Sequence, residues 1–184
     1  PATRDLANII MMDSAKIQAR DAEYLQHQAE KKGEVFSWKP LYSEQDAINT
    51  INQFITVSYN RPTWISPKIK LEFFDAGHIL GSAMAVLSVT DSEGYSIKIA
   101  YTGDLGRKGK AIIRDPALLP PVDYMLLEST YGDRKHESAT DALEKLAEIV
   151  NRATKMNGKI VIPAFAIERT QEIVYYLHLL VDQK

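Results

Sequence analysis

Three residues that could take part in hydrolysis lie near the ends of short apolar runs. His78 comes directly after Gly77, Asp104 comes directly after Gly103, and Glu128 ends a run of four apolar residues. Their nitrogen and oxygen atoms can bind divalent metal ions, and the same groups can transfer protons. Each residue alone is more often part of an ordinary turn. Three of them at the ends of three predicted strands indicate a hydrolytic metal site.

The elements that must position these residues follow from the spacing of the apolar side chains. Helical spacing extends from Leu6 to Gly33 and again over residues 43–54, where Ser43 and Asp46 open the second helix. Short strands are then predicted at residues 68–74, 83–90, 95–101 and 122–127. A helix follows Gly132, a short buried strand occupies residues 159–163, and a last helix occupies residues 167–181. This order predicts a layered α/β protein.

Composition excludes several classes of protein. The chain has 184 residues, 22 Lys and Arg against 24 Asp and Glu, and no cysteine. This size and charge balance fit one globular domain and exclude collagen, long coiled coil and wholesale disorder. Without cysteine there are no disulfides, thiolate zinc sites or cysteine nucleophiles, and we expect a reducing compartment, the cytoplasm. No apolar run approaches the roughly 18 residues of a membrane span, so we expect no membrane partner.

Four segments carry a family resemblance. They are Phe74–Ala83, Tyr101–Arg107, Leu127–Gly132 and Ile162–Glu172. In this order and spacing they resemble the β-CASP branch of the metallo-β-lactamase superfamily, RNA-processing nucleases related to the cleavage subunit of the mRNA 3′-end machinery. The resemblance implies that residues 1–132 are the C-terminal part of a metallo-β-lactamase αβ/βα sandwich. Residues 133–184 would then begin a β-CASP α/β domain.

The resemblance also implies a role for each candidate residue. His78 would bind one metal ion, and Asp104 would bridge two ions and take part in catalysis. Glu128 would orient a histidine that acts on the leaving group. The implied cofactor is a pair of zinc ions, with manganese as the alternative, which neutralise the phosphodiester and activate water. Glu168 stands where the family usually has glycine.

One part of the family pattern is absent. The sequence lacks the His-x-His-x-Asp-His signature, and its four histidines are His27, His78, His136 and His178. We therefore expect an internal piece of a longer enzyme, inactive on RNA when isolated and a weak binder of metal. Its sheet should expose a surface that the missing N-terminal half, or another copy of the chain in a homo-oligomer, would cover.

Two functions follow from these observations. The leading one is a metal-dependent nuclease that acts on RNA as an endonuclease, a 5′-exonuclease or both. The alternative is a non-catalytic paralogue that serves as a scaffold in an RNA-processing complex. Retention of all three candidate residues favours the enzyme. The basic run of Arg107, Lys108, Lys110 and Arg114 could contact a phosphate backbone, although such runs are more often solvated surface. His136 could contact substrate, although it is more often that such a histidine simply lies on a surface loop.

Overall fold

Residues 1–134 and 139–182 are described by a computed structural model of the chain. They contain four helices and five strands, which confirms the predicted α/β class. In chain order these are α1 (Ala2–Lys32), α2 (Glu44–Ile51), β1 (Thr63–Ser66), β2 (Ile69–Asp75), β3 (Ala83–Thr90), β4 (Ser96–Tyr101), β5 (Tyr124–Leu126), α3 (Ala139–Lys155) and α4 (Arg169–Asp182). None of the described helices is long and apolar enough to cross a membrane.

The chain divides into two compact units, Pro1–Phe73 and Phe74–Lys184. The domain boundary that the family resemblance implies, between residues 132 and 133, stays a prediction. His136 lies outside the described residues, so its two interpretations also stand as they were.

In the first unit, α1 and α2 pack against each other, with Ala15, Ala47 and Ile51 among their buried residues. Gly33 ends α1 in the left-handed conformation, with φ 70°, as the sequence predicts. Ser43 and Asp46 form a reciprocal capping box at the start of α2. This helix ends at Ile51 and not at Phe54, because the amides of Gln53 and Phe54 bond to carbonyls three residues back and tighten the chain into turns.

Strand β1 is present in the first unit although no strand is predicted there. It pairs antiparallel with β2, with Thr63 opposite Leu71 and Trp64 opposite Lys70. The strand has only four residues, and its central residues Trp64 and Ile65 are both exposed. A segment this short shows no clear alternation of apolar and polar residues, so only its pairing with β2 defines it.

In the second unit, three paired strands bring three loops to one edge. β3 pairs antiparallel with β4, and β4 pairs parallel with β5. The start of β3 therefore lies at the same edge as the ends of β4 and β5. The loop of residues 76–82 precedes β3, whereas Asp104 and Glu128 follow β4 and β5. The core of this unit consists of the buried residues Phe74, Ala76, Met84, Val86 and Ala100.

The expected strand at residues 159–163 is wrong, and the strand–helix–strand order that depends on it does not form. These residues adopt no regular structure, and the side chain of Val161 is 89% exposed. The apolar pattern at residues 160–162 is that of a buried strand. Within residues 1–134 and 139–182, no other strand pairs with this segment, and an unpaired strand leaves its backbone groups without partners.

Candidate active site

His78 lies on a loop whose backbone is fixed by short polar side chains. The Asp75 carboxylate accepts a hydrogen bond from the Gly77 amide at 2.9 Å. The Ser82 hydroxyl accepts bonds from the amides of His78 and Ile79, at 3.1 and 3.2 Å. Gly77 has φ +59°, a conformation that glycine adopts without steric cost. The loop is thus held through its backbone, and none of these bonds involves the imidazole ring.

A close backbone approach joins the His78 loop to the Asp104 loop. The Gly106 amide donates to the Ala76 carbonyl at 2.9 Å. A Cβ atom at position 106 would lie 1.5 Å from the Gly77 carbonyl oxygen, so only glycine fits there. The Gly-Asp-x-Gly pattern predicts a turn, and the structure shows that its second glycine also permits this contact.

This approach brings the first two candidate residues together. His78 Nε2 and Asp104 Oδ2 lie 3.9 Å apart, and their side chains are 35% and 78% exposed. That separation is too long for a hydrogen bond. Two ligands at about 2.0 to 2.2 Å from one tetrahedral ion lie roughly 3.4 Å apart, so the two atoms are within about 0.5 Å of the separation of two ligands on one divalent ion. Among the described residues, no group of three or more metal-binding side chains occurs. The described residues thus supply this pair and no larger set, and the role of the pair as metal ligands stays a prediction.

Glu128 connects the third loop to the Asp104 loop. Its Oε1 accepts a bond from the Leu105 amide at 2.6 Å, and its Oε2 accepts one from the Thr130 hydroxyl at 2.7 Å. The bond from the Thr130 hydroxyl lowers the pKa of Glu128 most, and the bond from the Leu105 amide adds to this. Desolvation opposes them, and the Thr130 amide and the charge of His78 lower the pKa by smaller amounts. Glu128 is therefore a carboxylate at neutral pH and can accept a further hydrogen bond.

Thr102 joins the ends of β4 and β5 beneath the site. Its side chain is almost completely buried, accepts a bond from the Glu128 amide at 3.3 Å and donates to the Gly103 carbonyl at 2.9 Å. Its own amide donates to the Leu126 carbonyl at 3.1 Å. The sequence pattern singles out neither Thr102 nor Thr130. Their only signal is a hydroxyl residue within two positions of a candidate acid.

Lys110 corrects one interpretation of the sequence. It belongs to the basic run that could face solvent or a phosphate backbone, yet its side chain is only 10% exposed. The ammonium donates to the His78 carbonyl at 2.9 Å and pairs with the Glu168 carboxylate. Arg107, Lys108 and Arg114 are exposed, so both interpretations of the run remain for those three residues.

Two other histidines are paired with carboxylates of their own helices. His27 on α1 is paired with Glu30 at 3.4 Å, and His178 on α4 is paired with Asp182 at 3.2 Å. Both pairs lie within a single helix and are largely exposed. The structure thus brings His78, Asp104 and Glu128 to one edge of the second unit, while the roles of the three residues stay predictions.

Comparison with known proteins adds independent information. No family model matches the chain. It is 34% identical over 141 residues to ribonuclease TTHA0252 of Thermus thermophilus, an alignment that covers 76% of the chain and 31% of the ribonuclease. It is 32% identical over 179 residues to the transcription termination factor FttA of Methanocaldococcus jannaschii, covering 95% of the chain and 25% of the factor. The FttA of Cenarchaeum symbiosum is 35% identical over 176 residues, which cover 94% of the chain and 24% of that protein.

These relatives are a ribonuclease and transcription termination factors, so the chain is similar to proteins that include an RNA-cleaving enzyme. The chain spans 24% to 31% of the length of these curated relatives.

Proposed function

We propose that the chain contributes part of the active site of a metal-dependent nuclease of the β-CASP type, which hydrolyses phosphodiester bonds in RNA. The observation that carries the proposal is the 3.9 Å separation of His78 Nε2 and Asp104 Oδ2 at the edge where Glu128 also lies. Similarity to a ribonuclease over 76% of the chain supports the same reaction.

In this proposal each side chain has a distinct task. His78 offers one neutral nitrogen to a divalent ion, and Asp104 has two oxygens with which it can contact two ions. When bound, two zinc or manganese ions would neutralise phosphate charge and activate water. The exposure of both side chains leaves room for the substrate and for ligands from other parts of a longer protein.

Glu128 has a different role because both of its oxygens already accept hydrogen bonds. These bonds keep it ionised and hold it against Leu105, next to Asp104. We infer that it accepts a hydrogen bond from a histidine outside the chain and holds that histidine ready to protonate the leaving oxygen. It would act in proton transfer and not as a metal ligand.

A non-catalytic scaffold remains the second candidate function. Such a protein has no need to keep a histidine, an aspartate and a glutamate at one edge. Retention of the whole arrangement therefore favours the nuclease.

The test uses the longest open reading frame that contains this sequence. The purified protein is assayed on labelled RNA with and without zinc or manganese. We expect cleavage only with metal, reduced by more than about 100-fold in His78→Ala and in Asp104→Asn, since even substitutions behind the ligands cost about 10- to 100-fold. His27→Ala is the matched control, because it removes an exposed histidine on α1, and it should keep full activity.

Cleavage that survives both ligand substitutions would contradict the proposal. Absence of cleavage with every metal, together with stable binding to RNA or to other RNA-processing proteins, would support the scaffold instead.

A further inference from the structure

Lys110 is a nearly buried cation with two specific partners. Its side chain is 10% exposed and that of Glu168 is 16% exposed. Burying an ammonium group is costly unless it is paired and hydrogen-bonded. Here the Glu168 carboxylate supplies the opposite charge, and the His78 carbonyl accepts a second bond at 2.9 Å. The lysine thus connects the segment before α4 to the loop that presents the candidate ligand.

Glu168 has an unusual backbone conformation for a residue other than glycine. Its φ is +71°, in the left-handed region that disfavours residues with a Cβ atom. Such a conformation persists where surrounding contacts hold it in place. The ion pair with Lys110 is one such contact, and the bond from the Glu172 amide to the Glu168 carbonyl, at 2.8 Å, is another. This local geometry directs the carboxylate toward Lys110.

The bond from Lys110 to the His78 carbonyl adds a second contact to the peptide group between His78 and Ile79. The Ser82 hydroxyl holds the amide on the N-terminal side of the His78 Cα atom and also the amide of Ile79. Lys110 holds the carbonyl on the C-terminal side. With both flanking peptide groups bonded, the direction of the Cα–Cβ bond is set, and only the side-chain torsions remain for the imidazole to approach Asp104.

We propose that Lys110, held by Glu168, is a positioning residue that orients His78 toward Asp104. The inference rests on the proposed function only in treating His78 as a ligand. The positional claim concerns the loop itself. Removing the ammonium should loosen the His78 loop locally and leave the core of the second unit unchanged.

The test measures amide hydrogen exchange and the ring nitrogen shifts of His78 by NMR on the 15N-labelled chain. In Lys110→Met, which keeps the length of the side chain without a donor, we expect exchange at the His78 and Ile79 amides to be at least about tenfold faster, because the loop loses a bond to a charged group. The His78 ring resonances should shift as well. The core amides of Val86 and Ala100 should exchange as before. Lys108→Met, a neighbouring exposed lysine, is the control and should change neither.

Two further variants separate positioning from general stabilisation. Lys110→Arg keeps a charged donor and should restore both slow exchange and the ring shifts. The double variant Lys110→Glu with Glu168→Lys keeps opposite charges but removes the donor from position 110, so amide exchange in the His78 loop should remain fast. If Lys110→Met does not fold, Glu168→Gln makes the same comparison, with a smaller acceleration expected.

Equal acceleration at the core amides in Lys110→Met would overturn the proposal, because the lysine would then stabilise the whole unit. Recovery of slow exchange in the charge-swapped double variant would overturn it too. The measurement involves neither RNA nor metal, so its failure is separate from that of the proposed nuclease function.

Discussion

Replacing Gly106 with alanine tests whether one backbone contact holds the candidate site together. The new Cβ atom would lie 1.5 Å from the Gly77 oxygen and 2.7 Å from the His78 amide nitrogen, whereas real Cβ contacts essentially never fall below 3.0 Å. Both neighbours are backbone atoms, so no side-chain rotation relieves the overlap. One loop must move by at least about 1.5 Å, the difference between required and available distance.

The energetic cost follows from this displacement. Overpacking of this kind costs about 1 to 3 kcal/mol. The bond from the Gly106 amide to the Ala76 carbonyl, 2.9 Å long, would also be lost, which adds about 1 kcal/mol. We therefore expect Gly106→Ala to lower the free energy of unfolding by about 2 to 4 kcal/mol. Movement of either loop would also change the distance between the His78 and Asp104 side chains.

Urea unfolding of the purified chain measures the stability change, and amide shifts at His78 and Leu105 report the movement of the two loops. Gly109→Ala is the matched control on the same segment. Its Cβ atom would meet nothing within 4 Å, although φ there is +76°. Conformational strain should lower the free energy of unfolding of this variant by about 1 to 2 kcal/mol, and the amide shift of His78 should not change. If Gly106→Ala unfolds at the wild-type urea concentration with unchanged shifts, the close approach does not exist.

The remaining predictions concern the helix cap, the acid and the isolated chain. Ser43→Ala removes the hydroxyl that accepts a bond from the Asp46 amide, so the free energy of unfolding measured in urea should fall by about 1 kcal/mol. The control Ser92→Ala, in the turn after β3, should leave the free energy of unfolding almost unchanged. Because the pKa of Glu128 is lowered in the folded state, its contribution to stability is present above the ordinary pKa of glutamate and is lost as the pH falls through the pKa of the folded state. Glu128→Gln should therefore reduce the fall in the free energy of unfolding at acidic pH. In the longer protein, Glu128→Gln should lower turnover with metal content nearly unchanged by elemental analysis, and loss of metal would make Glu128 a ligand. The isolated chain should not cleave RNA with zinc or manganese, and robust cleavage that His78→Ala abolishes would show that the site is complete.

Local sequence signals predict the helices and three of the strands well, because caps and periodicity act over a few residues. Gly33 and the Ser43–Asp46 capping box lie where the sequence places them, and the strand predicted at residues 83–90 has the bounds of β3. The sequence does not predict strand β1, and the strand that it predicts at residues 159–163 is absent, for one physical reason. A strand is defined by the neighbour with which it pairs, and neither the presence nor the absence of that neighbour is recorded in the segment itself.

In the candidate site too, the sequence predicts some features and not others. The residue types of His78, Asp104 and Glu128 reveal their chemical capacity without a structure. The sequence does not show which groups hold these three residues in place, because those groups lie far from them along the chain. The bond from Lys110 to the His78 carbonyl joins residues separated by 32 positions, and that from Lys110 to Glu168 joins residues separated by 58. A lysine in a basic run looks the same whether it faces solvent or is buried against a carboxylate.

The convergence of the three candidate residues depends on the direction of β5. If β5 were antiparallel to β4, Glu128 would follow it at the opposite edge of the strands, away from Asp104. The observed parallel pairing, with Ala100 opposite Met125, requires the chain to return along the sheet before β5 begins. Residues 102–123 make that return, and this connection carries Gly106 and Lys110, each of which contacts the His78 loop. Residues 102–123 therefore make the parallel pairing possible and also supply the contacts that hold the His78 loop. For this reason the spacing of the sequence could indicate the three candidate residues but not their arrangement in space.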